Sequence, residues 1–363
     1  MNDITAQAFV GMHGGMPSTR FAPNLHTRVE LLRAGSLSMP VTINDGDAPR
    51  ANAWVCSPLS TYADYAQEEA QRCLPRLLAA PVGLICAVAG AAFRRARIDR
   101  AVIINNWLLS TNLYPACDVD SLGTMLAVAL QRWPDHAIWF RSLNEAHNAD
   151  WLGALSALGF ECIPTRQIYY VTPRALGDKV RADIARDQRL LRRTPLRRLE
   201  SSDFDERHYA RVAELYTQLY IQKYSQLNPQ YTESFVRCSH AAGLLELHGF
   251  EDDTGTLQAA VGLFRVGSTL SAPLVGYNTT LPLQAGLYRL LMAIALEQGT
   301  ARGMTLNLSA GAAHFKRMRG GQPAIEYSAV YTRHLAPARR RPIAVLRKLT
   351  STIGIPLMKR FQL

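Results

Sequence analysis

The chain has 363 residues, of which 48% are hydrophobic, and it carries a formal net charge of +11 at pH 7. This length exceeds one typical domain, so we expect two, and the ordinary apolar fraction argues against a fibrous or disordered chain. The basic balance favours acidic partners such as nucleic acid, anionic lipid, a phosphorylated cofactor or an acidic carrier protein.

The cysteines argue against two kinds of site. All six stand singly and no Cys-x-x-Cys pair occurs, so neither a zinc site nor a disulfide scaffold is expected.

The first 21 residues carry an early acid and no apolar core, which is not the pattern of a signal peptide. We therefore predict a cytoplasmic protein without a metal.

The first compact region is predicted to span residues 51–173, after a peripheral segment, 1–50. Residues 53–56 have the pattern of a strand, and residues 101–109 form an apolar run of the kind found in central strands. A helix is expected to end at Arg132, and further strands are predicted at 137–141 and 162–171.

Residues 77–93 form the most apolar segment of the chain. The segment is uncharged, lies between Arg76 and Arg94, and reaches the lower limit of length for crossing a bilayer. It is rich in Ala and Gly and contains Pro81, so it is weakly hydrophobic for a membrane span. A buried helix is the preferred interpretation, and a span is the alternative.

A second region follows a basic linker. Residues 174–198 are rich in Arg and Asp and are interpreted as a linker helix, whose surface is either an anion patch or a solvated face with ion pairs. Residues 199–335 then give a helix at 209–224 and a hairpin of 244–250 with 257–264. The remaining residues, 336–363, form a basic tail.

Residues 274–332 carry the most informative order of elements. A strand at 274–280 leads through a Gly-bearing turn into a long helix, then a strand at 305–308, a small-residue turn and a last strand. A turn that opens a helix presents free backbone N–H groups and a positive dipole end to an anion. This order suits a pyrophosphate or a phosphopantetheine arm. Residues 139–170 parallel residues 306–331 in outline, without a strict repeat.

Three short stretches of the second half resemble those of GNAT-superfamily acyltransferases. They are Val275–Asn278, Gln284–Tyr288 and Ser309–Ala313 followed by Phe315 and Lys316. The resemblance is closer to the Fem-like and cellulose-biosynthesis-associated branch, whose members often contain two GNAT folds in tandem. It covers residues 200–335 in order and motif, and residues 50–171 in architecture alone.

The resemblance implies an α/β (α+β) fold of two tandem GNAT-like domains, each a mixed, mostly antiparallel twisted sheet flanked by helices. The first domain, 51–173, would be degenerate, and the second, 199–335, catalytic. In this family the fourth strand and the next helix splay apart around the pantetheine arm, and the turn between them binds the pyrophosphate. The implied donor-binding residues are Tyr277, Asn278, Gln284, Gly286, Leu287 and Tyr288.

The donor itself is left open by the sequence. The turn Gln284–Leu287 is a partial form of the family's Gln/Arg-x-x-Gly-x-Gly/Ala pattern. Acyl-CoA, a phosphopantetheine thioester on an acidic acyl-carrier protein, and charged tRNA therefore all stay candidates as cosubstrate. The acceptor is expected to be the amine of a small molecule or amino acid.

Amide formation from a thioester needs a base for the amine, a polarised carbonyl and a proton for the leaving thiolate. The candidate bases are Glu246, His248 and Glu326, with His314 as a further one, and Tyr288 is a candidate acid, as are Tyr277 and Tyr327. The candidate substrate-binding residues are Ser309, His314, Lys316 and Arg319, because the two cations following the small-residue turn could hold a carboxylate or phosphate.

Three functions are consistent with these observations. The first is an N-acyltransferase that uses a thioester, and the second is a Fem-like transferase that uses aminoacyl-tRNA. The third is a non-catalytic GNAT-fold adaptor that binds a membrane surface or a carrier protein through the basic tail, in which apolar residues alternate with Lys and Arg.

Overall fold

The computed structural model describes residues 2–47, 51–172 and 178–362. The strands are β1 (Arg28–Ala34), β2 (Leu37–Asp45), β3 (Arg100–Ile104), β4 (Ala137–Asn144), β5 (Glu161–Val171), β6 (Arg197–Leu199), β7 (Glu246–Glu251), β8 (Leu257–Val266), β9 (Thr269–Tyr277), β10 (Thr305–Asn307) and β11 (Gln322–Tyr331). The α-helices are α1 (Asn2–His13), α2 (Ala66–Cys73), α3 (Arg76–Arg95), α4 (Val119–Arg132), α5 (Ala149–Ala157), α6 (Asp178–Arg193), α7 (Glu206–Tyr216), α8 (Glu233–Ala241), α9 (Leu287–Ala301), α10 (Ala313–Arg317), α11 (Pro337–Leu349) and α12 (Ile355–Phe361).

All of these strands belong to one 11-stranded sheet. Their order is β1-β2-β3-β4-β11-β5-β10-β9-β8-β7-β6. Neighbouring strands run antiparallel except in two pairs, β3 with β4 and β9 with β10. Each parallel pair is joined by one crossover helix, α4 in the first half and α9 in the second.

The two halves are related by an approximate two-fold axis between β5 and β11. Asn144 opposes Glu326 across β4 and β11, and Asn307 opposes Tyr170 across β10 and β5. The last strand of each half therefore pairs with the other half's parallel pair. The fold consists of two similar tandem units with exchanged last strands, and separating them would break the ladders on both sides of the axis.

Strand alternation places helices on both faces of the sheet. In β3, Val102 and Ile104 pack in the hydrophobic cluster under α4 and α5, whereas Ala101 and Ile103 pack in the one under α3 and α11. In the second half, α9 covers one face, and α7, α8 and α1 cover the other. The central strands are thus buried on both faces, as their apolar sequences predict.

The structure differs from the sequence-based expectations in several places. Residues 1–50 are not peripheral, because β1 and β2 extend the sheet from β3. Residues 53–56 are buried turns rather than a strand. The basic tail contains α11 and α12, joined by a π-helical turn at residues 350–354. The start of the predicted linker, residues 174–177, lies outside the described residues.

Helix α3 differs most from its expected burial. It was expected to be a buried helix, but only 17% of its most apolar 18-residue window is buried. By length and composition it is the one helix among the described residues that could cross a membrane.

Candidate active site

The parallel pair β9 and β10 separates after a short contact. Pairing joins Thr305–Asn307 to residues 269–271, and β9 then continues to Tyr277. Within the described parts of the chain, no strand pairs with this edge of β9 beyond Ser271. The backbone N–H and C=O groups along residues 272–277 on that side are therefore open to hydrogen bonding by another extended chain.

Ser271 marks the point where the two strands part, which we call the β9–β10 vertex. Its side chain is 1% exposed, and its Oγ has no hydrogen-bond partner within the described residues. A buried hydroxyl without a partner costs free energy, so such groups are rare outside ligand sites and strained sites. Ser271 is thus a polar atom at the vertex that a ligand could satisfy.

The N-terminus of α9 faces the far end of the open β9 edge. Gly286 caps the helix with φ 65°, a left-handed conformation that favours glycine, and no side chain caps the helix. The first intrahelical bond runs from Leu290 N to Gly286 O, so the N–H groups of residues 287–289 lack helical partners. This end carries the positive pole of a 15-residue helix, which favours an anion.

Aromatic side chains line the space between β9 and α9. The ring centroids of Tyr277 and Tyr288 lie 6.3 Å apart, and the Tyr288 ring packs at a tilt, 4.9 Å from the ring of Phe315 of α10. Burial raises the pKa of Tyr288, so its hydroxyl stays protonated and remains a hydrogen-bond donor at neutral pH. Tyr288 therefore has the protonation state required of an acid for a leaving thiolate.

A linker residue already engages the cations beside this helix end. Asp187 of α6 is buried and pairs with Arg289 in the first turn of α9 at 2.7 Å and with Arg319. The side chain of Leu190 lies over Gly286, 2.8 Å from where a Cβ would stand. The predicted anion-binding residue Arg319 is thus buried against an acid of the same chain.

Lys316, predicted to bind a carboxylate or phosphate of the substrate, is buried beside the end of β10. Its Nζ donates to the carbonyl oxygens of Ser309 at 3.2 Å and Ala310 at 2.6 Å, directly after β10. Burial, with a smaller contribution from the Arg166 guanidinium, lowers the pKa of Lys316 to about 7. A large share of its amine is therefore neutral at physiological pH and able to accept a proton.

A buried polar chain runs from the vertex to the two-fold axis. The Thr111 hydroxyl donates to Ser309 Oγ at 3.1 Å, and Arg166 Nη2 donates to Thr111 Oγ1 at 3.1 Å. Arg166 Nε also donates to Glu326 Oε1 at 2.8 Å. The structure thus brings three of the predicted residues, Ser309, Lys316 and Glu326, into one region, with Glu326 held by an arginine.

Tyr170 occupies the equivalent of the Glu326 position on the other side of the axis. Its hydroxyl accepts from Asn144 Nδ2 at 2.8 Å and from Asn307 Nδ2 at 2.7 Å. Because the Tyr170 oxygen already accepts from both asparagines, its O–H points away from them and is able to donate to another group. The ring of His147 lies 4.0 Å from that of Tyr170, and burial lowers the pKa of His147, which favours its neutral form.

A cavity of about 310 Å³ opens beside Tyr170. It is lined by residues from three places: the loop at 112–116, the start of α5 and the β8–β9 turn, 267–269. Since Asn307 opposes Ser271 on one side and bonds to Tyr170 on the other, it connects the vertex to this cavity. The volume is in the range of small-molecule sites.

Glu246 and His248 do not join this region. Both oxygens of Glu246 accept from Arg302, at the C-terminal end of α9, and His248 Nε2 lies 3.1 Å from the same carboxylate. The hydrogen bond from Arg302 lowers the pKa of Glu246, which makes it a weaker base. A 15-residue helix is about 22 Å long, so this pair is remote from the α9 N-terminus.

The other predicted residues are divided between core, surface and loop. Leu287 packs in the core, whereas Gln284 and His314 are exposed. Asn278 bonds to Gln258 through both its backbone and its side chain. Among the described residues, no group of three His, Cys, Asp or Glu side chains could hold a metal ion.

Sequence reasoning missed Arg166, Ser271, Tyr170 and the two equivalent asparagines, Asn144 and Asn307. A charged residue within the strand run 162–171 was the available signal for Arg166, because a buried arginine needs a partner. No local pattern distinguishes Ser271 from an ordinary strand serine.

Comparisons with known proteins give structural neighbours only. No protein-family model matches the sequence, and no curated protein matches it. Among solved structures, L-PGS from Bacillus licheniformis has a TM-score of 0.45 at 14% identity, covering 63% of this chain and 79% of its own. FemX has a TM-score of 0.45 at 12% identity, covering 58% of this chain and 77% of its own.

A tandem GNAT protein from the clavulanic acid biosynthesis pathway has a TM-score of 0.38 at 11% identity, covering 63% of this chain and 75% of its own. These neighbours are of the GNAT and Fem-like kind that the sequence resembles. At such TM-scores and identities the likeness assigns neither an activity nor a substrate to this chain.

Proposed function

We propose that the protein transfers an acyl group from a phosphopantetheine-type thioester, such as acyl-CoA, to the amine of a small molecule. The observation that carries the proposal is the open edge of β9 between Ser271 and the N-terminus of α9. A pantetheine arm is an extended chain with two amide groups. It matches a strand edge in hydrogen-bonding pattern, and the phosphate end matches the helix N-terminus.

The phosphate end of the donor would lie near existing cations. Arg289 and Arg319 are held by the single carboxylate of Asp187. A donor phosphate would replace Asp187 as their partner, since phosphate accepts several charge-assisted hydrogen bonds. Because Leu190 covers Gly286, donor binding also requires α6 to move away from the start of α9.

The chemical step uses the neutral amine of Lys316 as general base. The acceptor nitrogen attacks the thioester carbonyl, the C–N bond forms, and the C–S bond breaks. The proton lost by the acceptor passes to Lys316, directly or through water, and the Lys316 ammonium then gives it, through water, to the leaving thiolate. A base with a pKa near the working pH is the most effective, and Lys316 meets that condition.

The acceptor would occupy the cavity beside Tyr170. There the Tyr170 O–H, fixed by two asparagine amides, can donate to a polar group of the acceptor. The neutral His147 ring forms one wall of this cavity. The size of the cavity favours an amino acid or similar small amine over a peptide.

The test is a coupled measurement of donor binding and product. The protein is titrated with CoA by calorimetry and then incubated with acetyl-CoA and a panel of small primary amines. The expected result is CoA binding, release of free thiol, and one amine heavier by an acetyl group. Absence of both CoA binding and thiol release would overturn the proposal.

Two further arms make the test specific. Lys316→Met should keep CoA binding and lose product, whereas Lys359→Met, an exposed lysine on α12, should keep both. Binding of charged tRNA in place of CoA, with an affinity that falls steeply with salt, would replace the thioester donor by an aminoacyl donor.

A further inference from the structure

The outward face of α3 exposes a row of large apolar side chains. Leu77 is 91% exposed, Leu84 67% and Val88 63%, and Leu78 and Ile85 are also exposed. Monomeric soluble proteins rarely present a contiguous apolar surface of this kind unless it meets another apolar phase.

The inward face of the same helix is fixed to the fold. Gly83, Gly90 and Phe93 are buried, and a Cβ at Gly90 would lie 3.1 Å from the Cβ of Ala63. Phe93 belongs to the same hydrophobic cluster as Ile343 and Leu346 of α11. The helix is therefore apolar on both faces, and its part from Gly83 onward is anchored in the fold.

Positive charge surrounds this apolar row. Arg76 begins α3 and Arg94 and Arg95 end it, with no acidic residue between them. The adjacent α11 contains Arg339–Arg341, Arg347 and Lys348, and residues 333–363 contain eight Lys or Arg and no Asp or Glu. Acids of other elements that face these cations include Asp64, 3.9 Å from Arg94, Glu161, 2.9 Å from Arg347, and Asp135, which faces Arg339.

The apolar surface continues across α11. Val345 is exposed and lines an open groove of about 500 Å³ with Ala344, Arg347, Lys348, Ser351 and Thr352. Ile353, in the following turn, is exposed as well. Apolar side chains thus alternate with cations over two neighbouring helices, which is the composition of surfaces that lie in a lipid headgroup region.

We infer that α3 and α11 form a docking surface for a bilayer containing anionic lipid. The apolar row of α3 enters the acyl boundary with the helix axis in the membrane plane, and the arginines at its ends and on α11 contact lipid phosphates. The helix does not span the bilayer, because Gly83, Gly90 and Phe93 on its inner face are buried within the fold. This inference does not depend on the proposed acyl transfer.

The full-length protein is tested by co-sedimentation with vesicles of phosphatidylcholine alone and with vesicles that contain about one third phosphatidylglycerol, at near-physiological salt. The protein is expected to bind the anionic vesicles, and its affinity for the neutral vesicles should be at least ten-fold lower. Leu77→Glu/Leu84→Glu should reduce anionic binding at least ten-fold, and Arg340→Gln/Arg341→Gln should reduce it several-fold.

The control is Val119→Glu, which changes an exposed apolar residue at the start of α4, on the opposite face of the sheet. This variant should bind as the wild type does. Circular dichroism and thermal unfolding establish that each variant is folded. Equal binding by wild type and Leu77→Glu/Leu84→Glu would overturn the inference.

Two other outcomes identify a different occupant. Sedimentation of the wild type as a dimer that Leu77→Glu/Leu84→Glu dissociates, without vesicle binding, would assign the surface to a second copy of the chain. Retention of the bound protein in the vesicles after alkaline carbonate washing would replace in-plane docking by a membrane span. Either result contradicts the inference as stated.

Discussion

The two parallel strand pairs have the same topology but end in opposite ways. In the first half, β3 and β4 part near Asn106, which is buried and fully bonded: its amide donates to Thr42 Oγ1 at 2.8 Å and Val55 O at 3.0 Å, and its oxygen accepts from Arg141 at 3.2 Å. In the second half the β9–β10 vertex holds Ser271, whose hydroxyl has no partner within the described residues.

The crossover helices differ in the same sense. Asp118 caps α4 and accepts from the Ser121 backbone at 3.1 Å, so a carboxylate of the chain itself neutralises that helix end. Gly286 caps α9 without a side-chain bond. Where its parallel strands part and its crossover helix begins, the first half thus satisfies its polar groups with its own side chains, whereas the second half leaves Ser271 and the α9 N-terminus without such partners. For this reason we propose the donor site in the second half.

The largest expected effect is on turnover. Lys316→Met should lower the acyl-transfer rate by about 100-fold or more, because general-base catalysis contributes about that much. The wild-type rate should rise as the pH passes about 7, where Lys316 loses its proton, and then level off. Steady-state kinetics between pH 5.5 and 9 measure both, and a Lys316→Met enzyme with the wild-type rate would exclude this base.

The stability of the protein should also depend on Lys316. Its pKa is about 7 in the folded protein, against an ordinary lysine value of 10.5, so the unfolded chain binds more protons between these two values. The free energy of unfolding should therefore rise by about 2 kcal/mol from pH 7 to pH 9 through this group. Urea unfolding of Lys316→Met should show a smaller rise in the free energy of unfolding between pH 7 and pH 9. An equal pH dependence of the free energy of unfolding in both proteins would contradict the assigned pKa.

Substitutions at the β9–β10 vertex and at Asn106, where β3 and β4 part, should change the free energy of unfolding in opposite directions. Ser271→Ala removes an unpartnered hydroxyl and should raise the free energy of unfolding by about 1 kcal/mol while weakening CoA binding. Asn106→Leu removes the amide to which Thr42, Val55 and Arg141 are bonded and leaves those groups without this partner. It should therefore lower the free energy of unfolding by about 2 kcal/mol. Urea denaturation measures both changes, and a loss of stability in Ser271→Ala would show that its hydroxyl is already satisfied.

The smallest effect is expected at the α4 cap. Asp118→Ala should lower the free energy of unfolding by about 1 kcal/mol, the usual contribution of an N-cap. CoA affinity, measured by calorimetry, should not change, because that helix end is not the donor site. A gain of CoA binding at the uncapped α4 would instead make the two halves functionally alike.

The sequence predicted the local elements better than their assembly. Periodicity and the Gly286 turn were sufficient for the β9–α9–β10 order, since these signals come from neighbouring residues. The exchange of β5 and β11 could not be predicted, because strand pairing across 160 residues leaves no local pattern. The exposure of α3 was missed for the same reason: its composition is that of a core helix, and only its packing shows which face is covered.

The candidate site was predicted in part. Ser309, Lys316 and Glu326 were selected by residue type and do lie in one region, but the burial of Lys316 was not predicted. Its burial depends on β5 passing beside β10, which places Tyr169 next to its amine at 5.9 Å. Glu246 and His248 were selected because of their residue types alone. The sequence did not show that the length of α9 separates them from the turn at Gly286.

The most direct test of the difference between the two halves is backbone hydrogen exchange with and without CoA. We expect CoA to slow exchange along residues 272–277 and in the first turn of α9, at 287–289. The corresponding positions of the first half, 105–110 and 119–121, should exchange at the same rates in both samples. Protection confined to the first half, or no protection in either, would contradict the assignment of the donor site to the β9–β10 vertex.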